Sequence, residues 1–403
     1  MRIAIIGCGV AGVTAAKTIR QNAAAEHEVT VYTYENYLYY PRPRLYEVLS
    51  GEKEPQEIYS YGSEWYEKFG INVQLGKKIT RIDPANKEIT LDGGLKSNYN
   101  KLLLANGAHS FVPPMLGIEK KGIFTLRTVE DAIAIKQYAT KTRQTIVIGG
   151  GLLGIELADC LMRLGQKVEV VEIFPTLLPR QLDQDGSSIL ENSLRKLGIG
   201  MQLGVKTTEI LGKEAVTGVA LDNGNEVSGE LILISTGVRS DIQLAADADI
   251  KVNKGVVVDD YLRTSAAEVY AAGDVIEFRG KVYGIIPPAI EQARVAAANM
   301  LEDEKHVYND TVQSTTLKIA GISLTSLGLV SPEGPKYEEI KRIDKQRGIY
   351  KKIVLDQGKI VGAILLGDRK GTSTLNRLIQ QGTDITKYKN HLLEDDFDYK
   401  QMT

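Results

Sequence analysis

At 403 residues the chain is too long for one hydrophobic core, and it divides into two or three domains. A composition of 43% hydrophobic and 25% charged residues with net charge −2 is that of a soluble globular protein, without the basic surplus of a nucleic-acid binder. No apolar run approaches the roughly 20 residues that span a bilayer. Met1 leads directly into a strand, and the two cysteines, Cys8 and Cys160, form no CxxC-type pair, so a signal peptide, a disulfide framework and a metal site are not expected and the cytoplasm is.

The first strand, Arg2-Ile3-Ala4-Ile5-Ile6, runs into GCGVAG at 7–12 and then a helical stretch. Gly7 permits the tight turn, Gly9 lets backbone approach a pyrophosphate, and Gly12 lets helix pack on strand, with Val10 and Ala11 opening the helix. The second strand, Val29-Thr30-Val31-Tyr32, should present an acid to a ribose. Glu28 has nearly the usual spacing but precedes the strand; Glu35 follows it and is the better candidate. In Tyr39-Tyr40-Pro41-Arg42-Pro43-Arg44-Leu45, Arg42 and Arg44 offer planar guanidinium forks suited to a diphosphate or a flat ring. Leu102-Leu103-Leu104 ends in a small-residue turn containing Ala105, Asn106 and Gly107.

A second fingerprint, GGGLLG at 149–154, follows Thr145-Ile146-Val147-Ile148. Gly149, Gly151, Leu152, Leu153 and Gly154 repeat the first turn, and Glu156 lies one helical turn on, a possible neighbour of a nicotinamide. The strand Lys167-Val168-Glu169-Val170-Val171 ends in Glu172, 23 residues after Gly149, where a carboxylate binds a ribose 2′-hydroxyl and repels a 2′-phosphate. Ile173 and Phe174 stand where arginines would serve NADPH, so NADH is the expected coenzyme. Leu231-Ile232-Leu233-Ile234-Ser235-Thr236-Gly237 mirrors the 102–107 crossing, and Gly273-Asp274 closes another strand with an acid suited to ribityl hydroxyls. An alanine-rich helix, 289–300, follows Pro287-Pro288. Two fingerprints in strand-turn-helix context imply two dinucleotides, most economically FAD and NADH. The expected fold class is α/β: two Rossmann-like domains, FAD (1–112 and 236–311) and NAD (113–235), with a small α+β domain at 312–403.

The order of these motifs resembles the two-dinucleotide flavoprotein reductases over residues 1–310. Leu126-Arg127-Thr128-Val129-Glu130-Asp131-Ala132 looks like that family's connection into the NADH domain, and Leu178-Pro179-Arg180-Gln181-Leu182-Asp183 like its segment after the ribose acid. The tail segment Leu317-Lys318-Ile319-Ala320-Gly321-Ile322-Ser323-Leu324 resembles the small C-terminal domain of NADH:rubredoxin oxidoreductases and the flavin part of assimilatory nitrite reductases, and Arg42 to Leu45, with Glu47 following, resembles the rubredoxin reductases. The resemblance implies FAD around 7–12, Glu35, Arg42 and Asp274. Glu47 stands where ferredoxin reductases carry a lysine beside the flavin, and Asn106 replaces a usual threonine. The related disulfide reductases need CxxxxC, and the peroxidases one cysteine after the second strand; residues 36–41 hold neither. No side chain is a certain catalyst, so electrons are expected to pass from NADH through FAD to a one-electron carrier, rubredoxin above all. NADH oxidase, quinone or general acceptor reductase, and redox-sensing flavoprotein stand as alternatives.

Past Asp310 the pattern shifts to short strands: a hairpin (349–355, 360–366) and a helix from Thr372 to Gln381. Between Lys336 and Arg377 eleven Lys/Arg face five Asp/Glu, a local excess expected to dock an acidic carrier, with Lys351 and Lys352 on its surface. Glu394, Asp395, Asp396 and Asp398 suggest a solubilising tail.

Overall fold

The computed structural model describes residues 1–23, 27–302, 305–311, 314–319 and 321–402. Ala320 of the tail motif and Val312, where the last domain was expected to begin, lie outside them. The chain forms two compact units: Met1–Phe111 with Arg127–Ile133 and Val238–Thr311, and Val112–Leu126 with Ala134–Gly237 and Val312–Thr403. The stretch Arg127–Ile133, which lies within 113–235, falls in the first unit.

The first unit is built on five parallel strands in the order Val269–Ala271, Lys101–Leu104, Arg2–Ile6, Glu28–Tyr32, Ile71–Gln74. In all but the edge strand Ile71–Gln74 both faces are largely buried, which is why those four appear as mainly apolar runs and not as alternating ones. The helices Val10–Asn22 and Ile286–Leu301 pack together through alanines: Ala15, Ala16, Ala293, Ala296 and Ala297 are fully buried. Pro287 and Pro288 lie inside the first turn of the second helix, where a missing N–H costs nothing.

The second unit repeats the plan, with parallel strands Gly200–Leu203, Lys167–Glu172, Gln144–Ile148, Leu231–Ile234 and Ile123–Phe124. It also carries a five-stranded antiparallel sheet ordered Ser314–Ile319, Ile322–Gly328, Lys359–Leu366, Ile349–Asp356, Tyr337–Asp344. The hairpin Ile349–Asp356/Lys359–Leu366 turns through Gln357 and Gly358, both at positive φ, the geometry that matches strand twist. The helix Thr372–Gln381 covers this sheet and ends on Gly382 in the left-handed conformation. The fold is therefore α/β with two parallel Rossmann-type sheets and an antiparallel C-terminal domain, as expected.

Two expectations for this last region fail. Lys351 and Lys352 are each 1% exposed. Lys351 pairs with Asp368 (2.5 Å), and Lys352 with Glu339 (2.6 Å) and Asp183 (3.1 Å). Lys341 reaches Asp183 and Asp185, and Arg342 and Arg347 both reach Asp395. Asp183, Asp185 and Asp395 lie outside the 336–377 window, so much of the basic excess is neutralised by acids distant in sequence. The acidic end is not a solubilising tail. Leu392, Leu393, Phe397 and Tyr399 enter the core under the helix, and Asp395 anchors two arginines.

Breaking a buried pair strands an uncompensated charge at a cost of about 3–5 kcal/mol. Lys352→Glu, which adds a third acid to Asp183 and Glu339, should therefore lower stability by at least about 3 kcal/mol, read as a fall in the denaturation midpoint. A variant as stable as the wild type contradicts the buried pair.

Candidate functional site: two dinucleotide cradles

Both glycine fingerprints fold identically. The Gly7 amide donates to Tyr32 O and the Gly149 amide to Val171 O, each at 2.8 Å. Gly7 (φ +111°) and Gly149 (φ +114°) turn the chain so closely under the crossing strands that an added Cβ would lie 2.1 Å from Ala105 O and 2.3 Å from Ser235 O. At Gly12 and Gly154 it would lie 1.9 Å from the carbonyls of Gly7 and Gly149, so only glycine lets helix and turn meet. Gly9 and Gly151, the N-caps, instead face open space, with nothing within 4 Å of an added Cβ. Neither cap supplies a side-chain acceptor, so the first turns that open at Val10 and Ala11 and at Leu152 carry no side-chain cap, and the positive end of each helix dipole lies behind the cradle. A pyrophosphate fits such a cradle.

Around the first cradle the structure assembles Ala11, Ala105, Gly107, Gly273 and Asp274. An added Cβ on Gly273 would meet Ala11 Cβ at 2.9 Å, and one on Gly107 comes within 3.7 Å of the Arg127 guanidinium. Arg127 pairs with Asp274 at 3.2 Å, and Gln292 accepts the Gly273 amide at 3.0 Å. Sequence reasoning passed over both residues as site members. Arg127 carried a signal, because it precedes a reciprocal cap in which Asp131 accepts the Arg127 and Thr128 amides and Thr128 Oγ1 accepts that of Asp131. Asn106 donates to Asp241 O at 2.7 Å, a bond to which an amide nitrogen is suited.

Glu35 is buried, with Arg42 bound across its two oxygens at 2.5 and 3.1 Å and the Tyr40 hydroxyl donating to it. Arg42 also donates to Arg127 O at 2.8 Å, which draws 127–133 into this unit. The shared amide–carbonyl register makes Thr33, not Glu35, the counterpart of Glu172. Arg44 is held by Glu47 through two 2.8 Å bonds and by Glu57 O, so the glutamate at the lysine position serves its own neighbour.

In the second cradle Glu172 is buried. Its Oε2 accepts the Gly150 amide at 2.5 Å and its Oε1 the Phe174 amide at 2.8 Å, which aims the carboxylate along the glycine turn with acceptor capacity to spare. Ile173 and Phe174 are exposed beyond it. Glu156 is half-buried on the helix Leu152–Arg163, and Gly237 (φ +100°) ends the crossing strand beside open space. Both cysteines are free and buried, and burial pushes the Cys8 thiol up to about 12, far from a reactive thiolate.

The class these features define is a tandem of Rossmann-type nucleotide folds with a C-terminal antiparallel domain. The chain belongs to the pyridine nucleotide-disulphide oxidoreductase family, whose model matches residues 1–299, and residues 314–383 match the rubredoxin NAD+ reductase C-terminal domain. It is 35% identical to a nitrite reductase [NAD(P)H] of Bacillus subtilis over 96% of this chain and 48% of that one. It is 33% identical to the NADH-rubredoxin oxidoreductase of Clostridium acetobutylicum over 91% of both chains. The crystal structure of NADH:rubredoxin oxidoreductase from that organism superposes with TM-score 0.79 at 30% identity, covering 96% of each chain. The chain spans about half the length of the nitrite reductase relatives it matches. Among the described residues no helix is long and apolar enough to cross a membrane.

The two glycine classes separate experimentally. Gly12→Ala, forced against the Gly7 carbonyl, should destabilise the protein even without ligand, whereas Gly9→Ala should melt like wild type yet lose FAD affinity. Thermal melts of the flavin-free proteins and FAD titration by fluorescence check both; wild-type FAD affinity in Gly9→Ala would remove the pyrophosphate assignment.

Proposed function

We propose that the chain is a FAD-dependent NADH oxidoreductase that passes electrons to a small one-electron carrier protein, rubredoxin being the first choice. The observation that carries this reading is the pair of open glycine cradles together with the absence of a poised thiol, since both cysteines are buried. The first-turn amides at Gly9 and the Arg127–Asp274 pair would hold FAD, with Arg42 ordering that wall through Glu35 and Arg127 O. The amides at Gly151 and the carboxylate of Glu172 would hold NADH. When bound, the flavin supplies the chemistry: it accepts hydride from NADH and gives up electrons singly. This chain's part is to bind, orient and select the two dinucleotides. The C-terminal match and the 33% identical rubredoxin oxidoreductase support the carrier.

A second reading follows from the 35% identical nitrite reductase, in which the acceptor is the nitrite-reducing part of a larger assembly. Stopped-flow reoxidation of the NADH-reduced protein by rubredoxin, ferredoxin, quinone and oxygen in parallel decides the acceptor. Rubredoxin should be fastest, and reoxidation by oxygen or quinone alone at the highest rate overturns the carrier reading.

Coenzyme selection rests on Glu172. Wild type should show higher kcat/KM with NADH than with NADPH. Glu172→Ala should narrow that ratio by about 1.5–3 kcal/mol, the worth of a hydrogen bond to a charged group. A wild type that prefers NADPH sinks the assignment.

A further inference from the structure

The loop 173–182, which follows Glu172, is tied at one end to the second cradle. Leu177 is fully buried, and its Cδ2 lies 2.8 Å from where a Cβ on Gly150 would stand, over the middle of the glycine turn. The Leu177 amide is held at 2.8 Å by Ser187 Oγ, itself 1% exposed on the helix Gln184–Lys196. Leu178 adopts φ +52°, a left-handed conformation that a leucine keeps only where its surroundings impose it. The loop closes on Asp183, the N-cap of that helix, whose Oδ1 accepts the Gly186 amide at 3.1 Å.

Asp183 is in turn held from the C-terminal sheet. The Tyr350 hydroxyl donates to its Oδ2 at 2.6 Å, and the Lys352 ammonium at 3.1 Å. Tyr350 and Lys352 are two apart on one strand and so share a face. Gly186 has no Cβ to collide with the Tyr350 ring, which would lie 3.0 Å from it. Glu339 and Lys341 complete a charged cluster on this face. Burial works against the Asp183 carboxylate, but bonds from Tyr350, Gly186 and Lys352 outweigh it and hold the carboxyl below the usual range. A continuous set of contacts thus runs from Tyr350 and Lys352 through Asp183, Ser187 and Leu177 to Gly150.

We propose that Tyr350 and Lys352 are positioning residues for the coenzyme loop: the C-terminal sheet sets the affinity of the second cradle for the ADP-ribose part of the coenzyme. This rests on reading the Gly149–Glu172 turn as the NADH cradle, so the test has one arm that needs no ligand. Amide hydrogen exchange is followed at Leu177 and through 183–187 in wild type, Tyr350→Phe, Lys352→Met and Lys352→Arg. ADP-ribose binding is measured by calorimetry, and NADH kinetics with ferricyanide as acceptor.

Tyr350→Phe, which removes only a hydroxyl, should quicken Leu177 exchange and weaken ADP-ribose binding at least about fivefold, the low end of coupling between sites. KM for NADH should rise more than kcat falls. Lys352→Met should do the same, and Lys352→Arg should restore the wild-type values. If Lys352→Met does not fold, Tyr350→Phe carries the test. Unaltered Leu177 exchange in folded Tyr350→Phe, or faster exchange with unchanged ADP-ribose affinity, overturns the proposal. ADP-ribose that binds not even wild type instead removes the coenzyme reading, and the exchange data alone then decide whether the sheet holds the loop.

Discussion

Everything in the two nucleotide folds depends on a backbone collision avoided. A helix can begin directly beneath the carbonyl of its own turn only if the facing residue has no Cβ, and Gly12 and Gly154 meet that condition: a Cβ on either would stand only 1.9 Å from the carbonyl oxygen. This approach fixes the helix axis against the strand and aims its first amides outward. Because Gly9 and Gly151 offer no capping oxygen, no side-chain cap occupies the first turns, where a Ser, Thr, Asp or Asn would fill the cradle. The cradle is thus a deliberate shortage of acceptors, held open by packing behind it.

The polar groups around each cradle are fixed by partners of their own. Glu35 is held by Arg42 and Tyr40, and Asp274 pairs with Arg127, so the first cradle has a pre-ordered charged wall. In the second, Glu172 spends two of its acceptor sites on backbone amides and keeps the rest for a ligand. Such commitments are made before any ligand arrives, which lowers the ordering that binding would otherwise require.

The parts of the fold that follow local rules are legible in the sequence: apolar runs mark the parallel strands Arg2–Ile6, Glu28–Tyr32, Lys101–Leu104, Gln144–Ile148, Lys167–Glu172 and Leu231–Ile234, glycine spacing marks the two turns, and the hairpin and the helix Thr372–Gln381 stand where expected, whereas the edge strands Ile71–Gln74, Gly200–Leu203 and Ile123–Phe124 carry no such run. What escaped depended on contacts remote in sequence. Lys351 and Lys352 look like surface charge because lysine is almost never buried unpaired, and their acids lie at Asp368, Glu339 and Asp183. Arg127 lay outside any glycine motif and reaches Asp274 across 147 residues. The acidic stretch near 395 hid a core segment because its apolar residues are spaced irregularly. Glu35 was rightly placed after its strand, but only the hydrogen-bond register shows that Thr33 is the residue equivalent to Glu172.

The first unit is assembled from three separated pieces of chain, and its edge strand Val269–Ala271 and the helix Ile286–Leu301 come from the last of them. On a ribosome, residues 1–111 therefore emerge without the strand and helix that bury their sheet, and must wait for some 190 further residues to be made. At about 5–20 residues per second that interval lasts roughly ten to forty seconds. During it, the apolar face of Lys101–Leu104 is an open edge, and the alanine seam of Val10–Asn22 has no mate. The order of translation thus makes the first nucleotide fold the last of the two parallel sheets to close.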